Sequence, residues 1–343
     1  MSLAEVVAAI MFLGVVLYAL FAGADFGAGL WDLGAGGARK GSPTRLLIDD
    51  ALGPVWEANH VWLIFVIVYF WTAFPRAFAA TMETLSVPFA LAGLGIVLRG
   101  GAFAFRKTSP SLRQARLHGV MFAVSSVVTP FFFGAIAGAV ASGRVPLDGH
   151  GDRWSSWTGA TSLIGGALAV VTCSFLAAVY LAREADRRRA HDLAEGFRRR
   201  ALGAGAVAGV AALAAIVPLE DDAPELFDGL TGKALPLILV SAAGGVLALV
   251  MVWRRRYGLA RLGAGAAVAA VVAGWGVGQH PWLLVDVVEI DAAAGARPTL
   301  WALVVVFALA AVTVVPSLAY LYWVTQRPAW VEPEVTTSSP AGS

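Results

Sequence analysis

The sequence predicts an all-α protein embedded in a membrane, on three observations. Apolar residues make up 58% of its 343 positions and charged residues only 14%, where a soluble domain is about 25% charged. Nine apolar stretches run along the chain, each near the ~20 residues needed to cross a hydrocarbon core about 30 Å thick. The basic residues sit mostly in alternate connections between those stretches.

The predicted spans lie at roughly 3–33, 52–74, 78–98, 117–142, 158–182, 201–218, 234–253, 258–279 and 299–324. They are continuous runs of Ala, Leu, Val and Gly. A membrane barrel would instead show short segments of alternating polarity, so the spans are read as helices. Met1–Leu20 lacks a basic leading region and runs on into a polar block at Asp25, so it reads as an uncleaved span rather than a signal peptide. Gly23 and Gly27 bracket Asp25 at a spacing that lets two helices approach closely in lipid.

Of the 25 basic residues, 20 follow the odd-numbered spans, in five groups: Arg39, Lys40 and Arg45; Arg99 to Arg116; Arg183 to Arg200; Arg254 to Arg261; and Arg327. The other connections hold Arg76, Arg144, Arg153, Lys233 and Arg297. This asymmetry predicts cytoplasmic odd-numbered loops, an outside N-terminus and a cytoplasmic C-terminus. One transmembrane domain is expected over 1–327. A disordered cytoplasmic tail is expected at 328–343, where Val335–Ser343 has no apolar face to bury. Cys173 is the only cysteine, which excludes an intrachain disulfide and a cysteine-rich metal site. The Gly34–Gly37 run has no preceding strand and no following Lys-Ser/Thr, so it is not a phosphate loop. The Arg183–Arg200 cluster is explained by topology, and nucleic acid is not an expected partner.

Ionisable groups inside spans are costly and mark functional sites by default. Asp25 lies toward the cytoplasmic half of the first span, Glu57 opens the second and Arg99 closes the third. The alternating directions of the helices put all three at one depth. Two uses are open: a structural ion pair between a carboxylate and Arg99, or a relay of protons. Glu57 and His60 are spaced i, i+3, with Trp56 and Asn59 beside them. That Glu-x-x-His pair has no second copy, which a di-metal bundle requires. No metal, cofactor-binding or catalytic residue is therefore assigned to this chain, and His60 is read as a polar neighbour of Glu57. Asp32 reads as a helix-end residue facing water, and Glu83 as an interfacial carboxylate.

Three blocks carry a family resemblance: Gly23-Ala-Asp-Phe-Gly27, Gly53-Pro-Val-Trp-Glu-Ala-Asn-His-Val-Trp-Leu63 and Leu98-Arg-Gly-Gly-Ala-Phe-Ala-Phe-Arg106. In order and spacing they resemble subunit II of the cytochrome bd-type quinol oxidases. Gly274-Trp-Gly-Val-Gly-Gln-His-Pro-Trp282 is similar to a stretch of the cyanide-insensitive branch. The resemblance implies two four-helix bundles plus one peripheral helix, in a bacterial cytoplasmic membrane. It implies a heterodimer with a haem-bearing subunit I that carries haem b and haem d type groups. A small accessory single-span subunit is a further implied partner. The complex would oxidise quinol and reduce oxygen to water in an aerobic respiratory chain, taking protons from the cytoplasm. Asp25, Glu57, His60 and Arg99 would then belong to the proton path, and Trp56, Asn59, Trp62 and Arg106 to the structural or interface set. Ala104 stands where the family usually has an acid, and His280 where it has Tyr. The alternative reading is a proton- or cation-coupled membrane transporter, a class built from inverted repeats and broken helices.

Overall fold

The computed structural model describes residues 1–37, 39–52, 56–106 and 111–325. The tail expected at 328–343, the Gly53-Pro54-Val55 start of the second motif and the Arg106 side chain lie outside the described residues. Fourteen helices and one small hairpin appear among the residues described. They are α1 (Leu3–Leu33), α2 (Ser42–Leu52), α3 (Trp56–Ala73), α4 (Pro75–Thr84), α5 (Ser86–Arg106), α6 (Leu112–Ala141) and α7 (Ala160–Arg187). There follow α8 (His191–Ala214), α9 (Ile216–Asp222), α10 (Pro224–Thr231), α11 (Leu235–Trp253) and α12 (Tyr257–Gln279). The strands β1 (Trp282–Leu284) and β2 (Val288–Glu289) pair antiparallel before α13 (Ile290–Ala293) and α14 (Arg297–Thr325).

Eight of these helices are long and apolar enough to cross a membrane, or nine if α2 with α3 is one span. Eight of the nine expected spans are therefore present with corrected boundaries, and the second, expected at 52–74, is met by α3 only if α2 is counted with it. The third was expected at 78–98, but the chain breaks at Leu85 between α4 and α5. Pro88 has no N–H to give to the Thr84 carbonyl, so one bond of the helical ladder is missing at that turn. The sixth was expected at 201–218 and begins earlier, at His191; Pro218 likewise falls where α8 gives way to α9. Helices α2, α10 and α13 and the hairpin were not foreseen, because each is too short to give a periodic signal of its own.

Helices α1, α3, α5 and α6 form one bundle, and α7, α8, α11 and α12 a second. The two meet where α1 and α6 pack along α7, and α14 lies outside against α1 and α3. Lipid gives helices no hydrophobic reason to associate, so close backbone approach does the work. At Gly27 a Cβ would fall 1.9 Å from the Cys173 carbonyl oxygen on α7, and at Gly134 one would fall 2.3 Å from the Gly165 oxygen. Only glycine fits either crossing.

Ion pairs and hydrogen bonds bind the loops into two ends. At one end Arg45 pairs with Asp32 at 2.8 Å, Arg188 with Asp50 at 2.6 Å and Arg255 with Glu195 at 3.3 Å. At the other, Ser2 donates to Asp291 at 2.5 Å, His280 lies 3.0 Å from Glu5, and Arg144 pairs with Asp222. The basic connections after the first, fifth and seventh spans thus share one end. Asp32 corrects the sequence reading. It is 4% exposed rather than facing water, because Arg45, on the short helix after it, folds back to neutralise it.

Gly27→Ala is expected to force α1 away from α7 and to destabilise the detergent-extracted protein by about 1–3 kcal/mol or more, as overpacking does. Thermal unfolding checks this, with Gly245→Ala, where nothing lies within 4 Å of the new methyl, expected to match wild type.

Candidate functional site

The first bundle buries an ionisable cluster. Asp25 is 5% exposed and Arg99 is 2% exposed, the largest fully buried side chain among the described residues. Local sequence puts them there: Asp25 lies between the glycines that let α1 reach α7, and Arg99 lies in the last two turns of α5. At Gly29, one turn on from Asp25, a Cβ would meet Ser126 Oγ at 2.1 Å and Arg99 Nη1 at 3.3 Å. The absent side chain is the room the guanidinium occupies.

Arg99 Nη2 donates to the main-chain oxygen of Asp25 at 2.9 Å, and Nη1 donates to Ser126 Oγ on α6. Ser126 Oγ–H in turn donates to the Phe122 carbonyl at 2.6 Å. The guanidinium carbon lies 4.6 Å from the Phe122 ring centroid and 4.9 Å from that of Phe26. Cation–π contacts are worth about 2 kcal/mol when desolvated. The Asp25 carboxylate accepts from Asn59 Nδ2 on α3, which also donates to the Phe21 carbonyl at 3.4 Å. Opposite charges on Asp25 and Arg99 attract each other in this interior. Two isolated charges would each cost several kcal/mol to bury; paired and hydrogen-bonded charges are tolerated.

His60 extends the cluster. Its Nδ1 lies 3.4 Å from the Tyr18 hydroxyl. Its ring is 6.0 Å from those of Tyr18 and Phe26 and 6.2 Å from that of Trp56. Trp56 reaches across to Phe103 on α5 at 5.6 Å. Trp62 lies farther along α3, 6.2 Å from Phe65. The structure therefore brings together Asp25, Asn59, His60, Arg99 and Trp56. It does not bring Glu57 into the buried group: that side chain is exposed on the surface of α3. Asn59, two residues on, takes the inward position instead, since a helix turns about 200° over two residues. The expected carboxylate–Arg99 contact is with the Asp25 backbone oxygen, while the carboxylate itself goes to Asn59.

Sequence reasoning missed Tyr18, Phe26, Phe122 and Ser126. A signal existed for two of them: Tyr18 and Asp25 are seven residues apart on one face of α1, and Ser126 sits with Ser125 and Thr129 as a buried hydroxyl run in α6. Trp56, Arg99, Phe103 and Phe122 line a narrow gap beside this cluster. Among the described residues, no three of His, Cys, Asp and Glu converge as a metal site would need.

A sequence model of the family described as cytochrome bd terminal oxidase subunit II matches residues 3–325. The cytochrome bd ubiquinol oxidase subunit 2 of Bacillus subtilis (strain 168) is 26% identical over 171 residues, 49% of this chain and 48% of that protein. A putative cytochrome bd menaquinol oxidase subunit II of the same organism is 24% identical over 221 residues, 63% of this chain and 62% of that protein. The chain thus aligns with about half to three fifths of these relatives' length. Its fold resembles a chain in the structure of the bd oxidase from Geobacillus thermodenitrificans, with a TM-score of 0.79 at 23% identity, covering 95% of this chain and 99% of that one. The match along nearly the whole chain favours the oxidase-subunit reading over the transporter.

Arg99→Gln is expected to cost about 3–5 kcal/mol, because it leaves the Asp25 carboxylate in a low-dielectric interior without its cation. Adding Asp25→Asn is expected to restore part of that loss, since the pair is then neutral. Thermal unfolding of the single and double variants checks the coupling.

Proposed function

This chain belongs to the cytochrome bd terminal oxidase subunit II family, and from that premise we propose that it supports quinol oxidation and oxygen reduction by supplying a proton-uptake route to a haem-bearing partner. It is a multi-pass protein of the bacterial cytoplasmic membrane. Haem groups on the partner, subunit I, would supply the oxygen chemistry, and a small single-span subunit is a further candidate partner.

The observation that carries the proposal is the position of Asp25. A carboxylate buried in a membrane-spanning bundle is retained against its cost, on a helix that packs against α3, the helix bearing Glu57. Oxygen reduction to water consumes protons, and apolar packing cannot deliver them. Glu57, exposed on α3, is placed to exchange a proton with water or with the partner's surface. Asn59 and His60 lie on the same helix, turned inward, where their side chains link α3 to Asp25 and Tyr18. In this reading Arg99 holds the Asp25 segment in place and sets the field around its carboxylate, while Trp56 and Phe103 close the end of the bundle against water. The basic end of the molecule, where Glu57 begins α3, faces the cytoplasm under the same reading.

Glu57→Gln keeps shape and hydrogen bonding but cannot ionise. In the assembled, haem-replete complex it is expected to slow quinol oxidation at least tenfold, while Glu57→Asp retains most of the rate. Asp25→Asn is expected to act as Glu57→Gln does. Oxygen-electrode turnover with a normal haem spectrum reads the effect; full turnover in both variants would leave these residues as structural contacts. Orientation is checked by reporter fusions: one after Arg327 is expected in the cytoplasm and one within 219–233 outside. Both on one side would overturn the topology.

A further inference from the structure

The basic end of the second bundle has more arginine than it has carboxylate. Glu184 takes Arg187 and Arg188, Asp50 takes Arg188 again, and Glu195 takes Arg198, Arg199 and Arg255. Arg183 on α7 and Arg261 on α12 form no ion pair within 4.0 Å among the described residues, although they are close enough to repel each other. Both are half-buried rather than extended into solvent. The Arg183 guanidinium lies against the first turn of α12, where a Cβ on Gly258 would fall 2.5 Å from Nη1. Arg261 lies 5.9 Å from the Tyr180 ring centroid. Two like charges are thus held near each other by packing, with Glu184 and Asp186 acting on Arg183 only from beyond ion-pair distance.

We propose that Arg183 and Arg261, where α7 packs against α12, bind the phosphate of an anionic phospholipid headgroup. Guanidinium groups present paired N–H donors that match phosphate oxygens. The first turn of α12 adds its unpaired backbone N–H groups and the positive end of the helix dipole. The depth selects a lipid over a soluble anion. Arg261 sits four residues into a membrane-spanning helix, about 6 Å from its start. Beside it Leu259 is 49% exposed and Leu262 is 66% exposed. An acyl chain covers those side chains while its headgroup meets the arginines, as basic pockets between spans do for anionic lipids. The exposed Arg254 and Arg256 lie in the loop and stay solvated.

The test uses the whole complex extracted from its membrane, stripped of lipid, and placed in nanodiscs of phosphatidylcholine with one tenth phosphatidylglycerol or cardiolipin. Native mass spectrometry counts retained anionic lipid. The wild-type complex is expected to retain anionic over zwitterionic lipid, the Arg183→Gln/Arg261→Gln variant at least fivefold less, and Arg254→Gln/Arg256→Gln as much as wild type. Arg183→Lys/Arg261→Lys, which keeps the charge, serves if the Gln variant does not assemble, and is expected to fall between. No preference for anionic lipid in wild type, or equal retention in the altered complexes, would overturn the site. Millimolar inorganic phosphate is expected not to displace the lipid; displacement would make the occupant a soluble phosphate and overturn the lipid assignment.

Discussion

A guanidinium buried in a membrane-spanning bundle has to be satisfied from the inside, and much of the first bundle is arranged to satisfy Arg99. Its partners come from α1 and α6, as the Asp25 carbonyl, the Ser126 hydroxyl and the faces of Phe26 and Phe122. Through those contacts the three helices are tied together by one side chain. The charge also explains why Asp25 is tolerated. A buried carboxylate alone would be expelled or neutralised; beside Arg99 and under the Asn59 amide it is held.

That arrangement depends on what is missing as much as on what is present. Gly29 leaves the volume that Ser126 and Arg99 fill, and Gly27 lets α1 touch the α7 backbone. The same stretch of α1 therefore faces both ways, with its acid toward α3 and α5 and its bare backbone toward the second bundle. Anything that moves Asp25 also moves the junction of the bundles. A proton-carrying role and a structural role are built from one segment, which is why substitutions must separate ionisation from volume.

Much of this was legible in the sequence. The spans, their alternate basic connections and the convergence of Asp25 with Arg99 all follow from hydropathy and charge placement, because lipid imposes those constraints on every residue. What was not legible follows from rotation about a helix axis. Glu57 and Asn59 are two residues apart in one apolar run whose faces differ little in hydrophobicity, so nothing in the pattern told which would point inward. Charge alone favoured Glu57; packing turned Asn59 in. Asp32 was misread for a related reason, since its partner Arg45 lies on a short helix with no periodic signal. The breaks near Leu85 and Ala215 had visible causes in Pro88 and Pro218, hidden within otherwise continuous apolar runs.

The central claim is that Asp25 changes protonation as the complex works. Infrared difference spectroscopy of the carboxyl stretch, between reduced and oxidised complex in light and heavy water, reads that event directly. The account predicts a carboxyl band that appears with turnover, shifts on deuteration and is absent from an assembled Asp25→Asn variant with normal haem content. An unchanged difference spectrum in that variant would mean that Asp25 keeps one charge state throughout and serves only to hold Arg99.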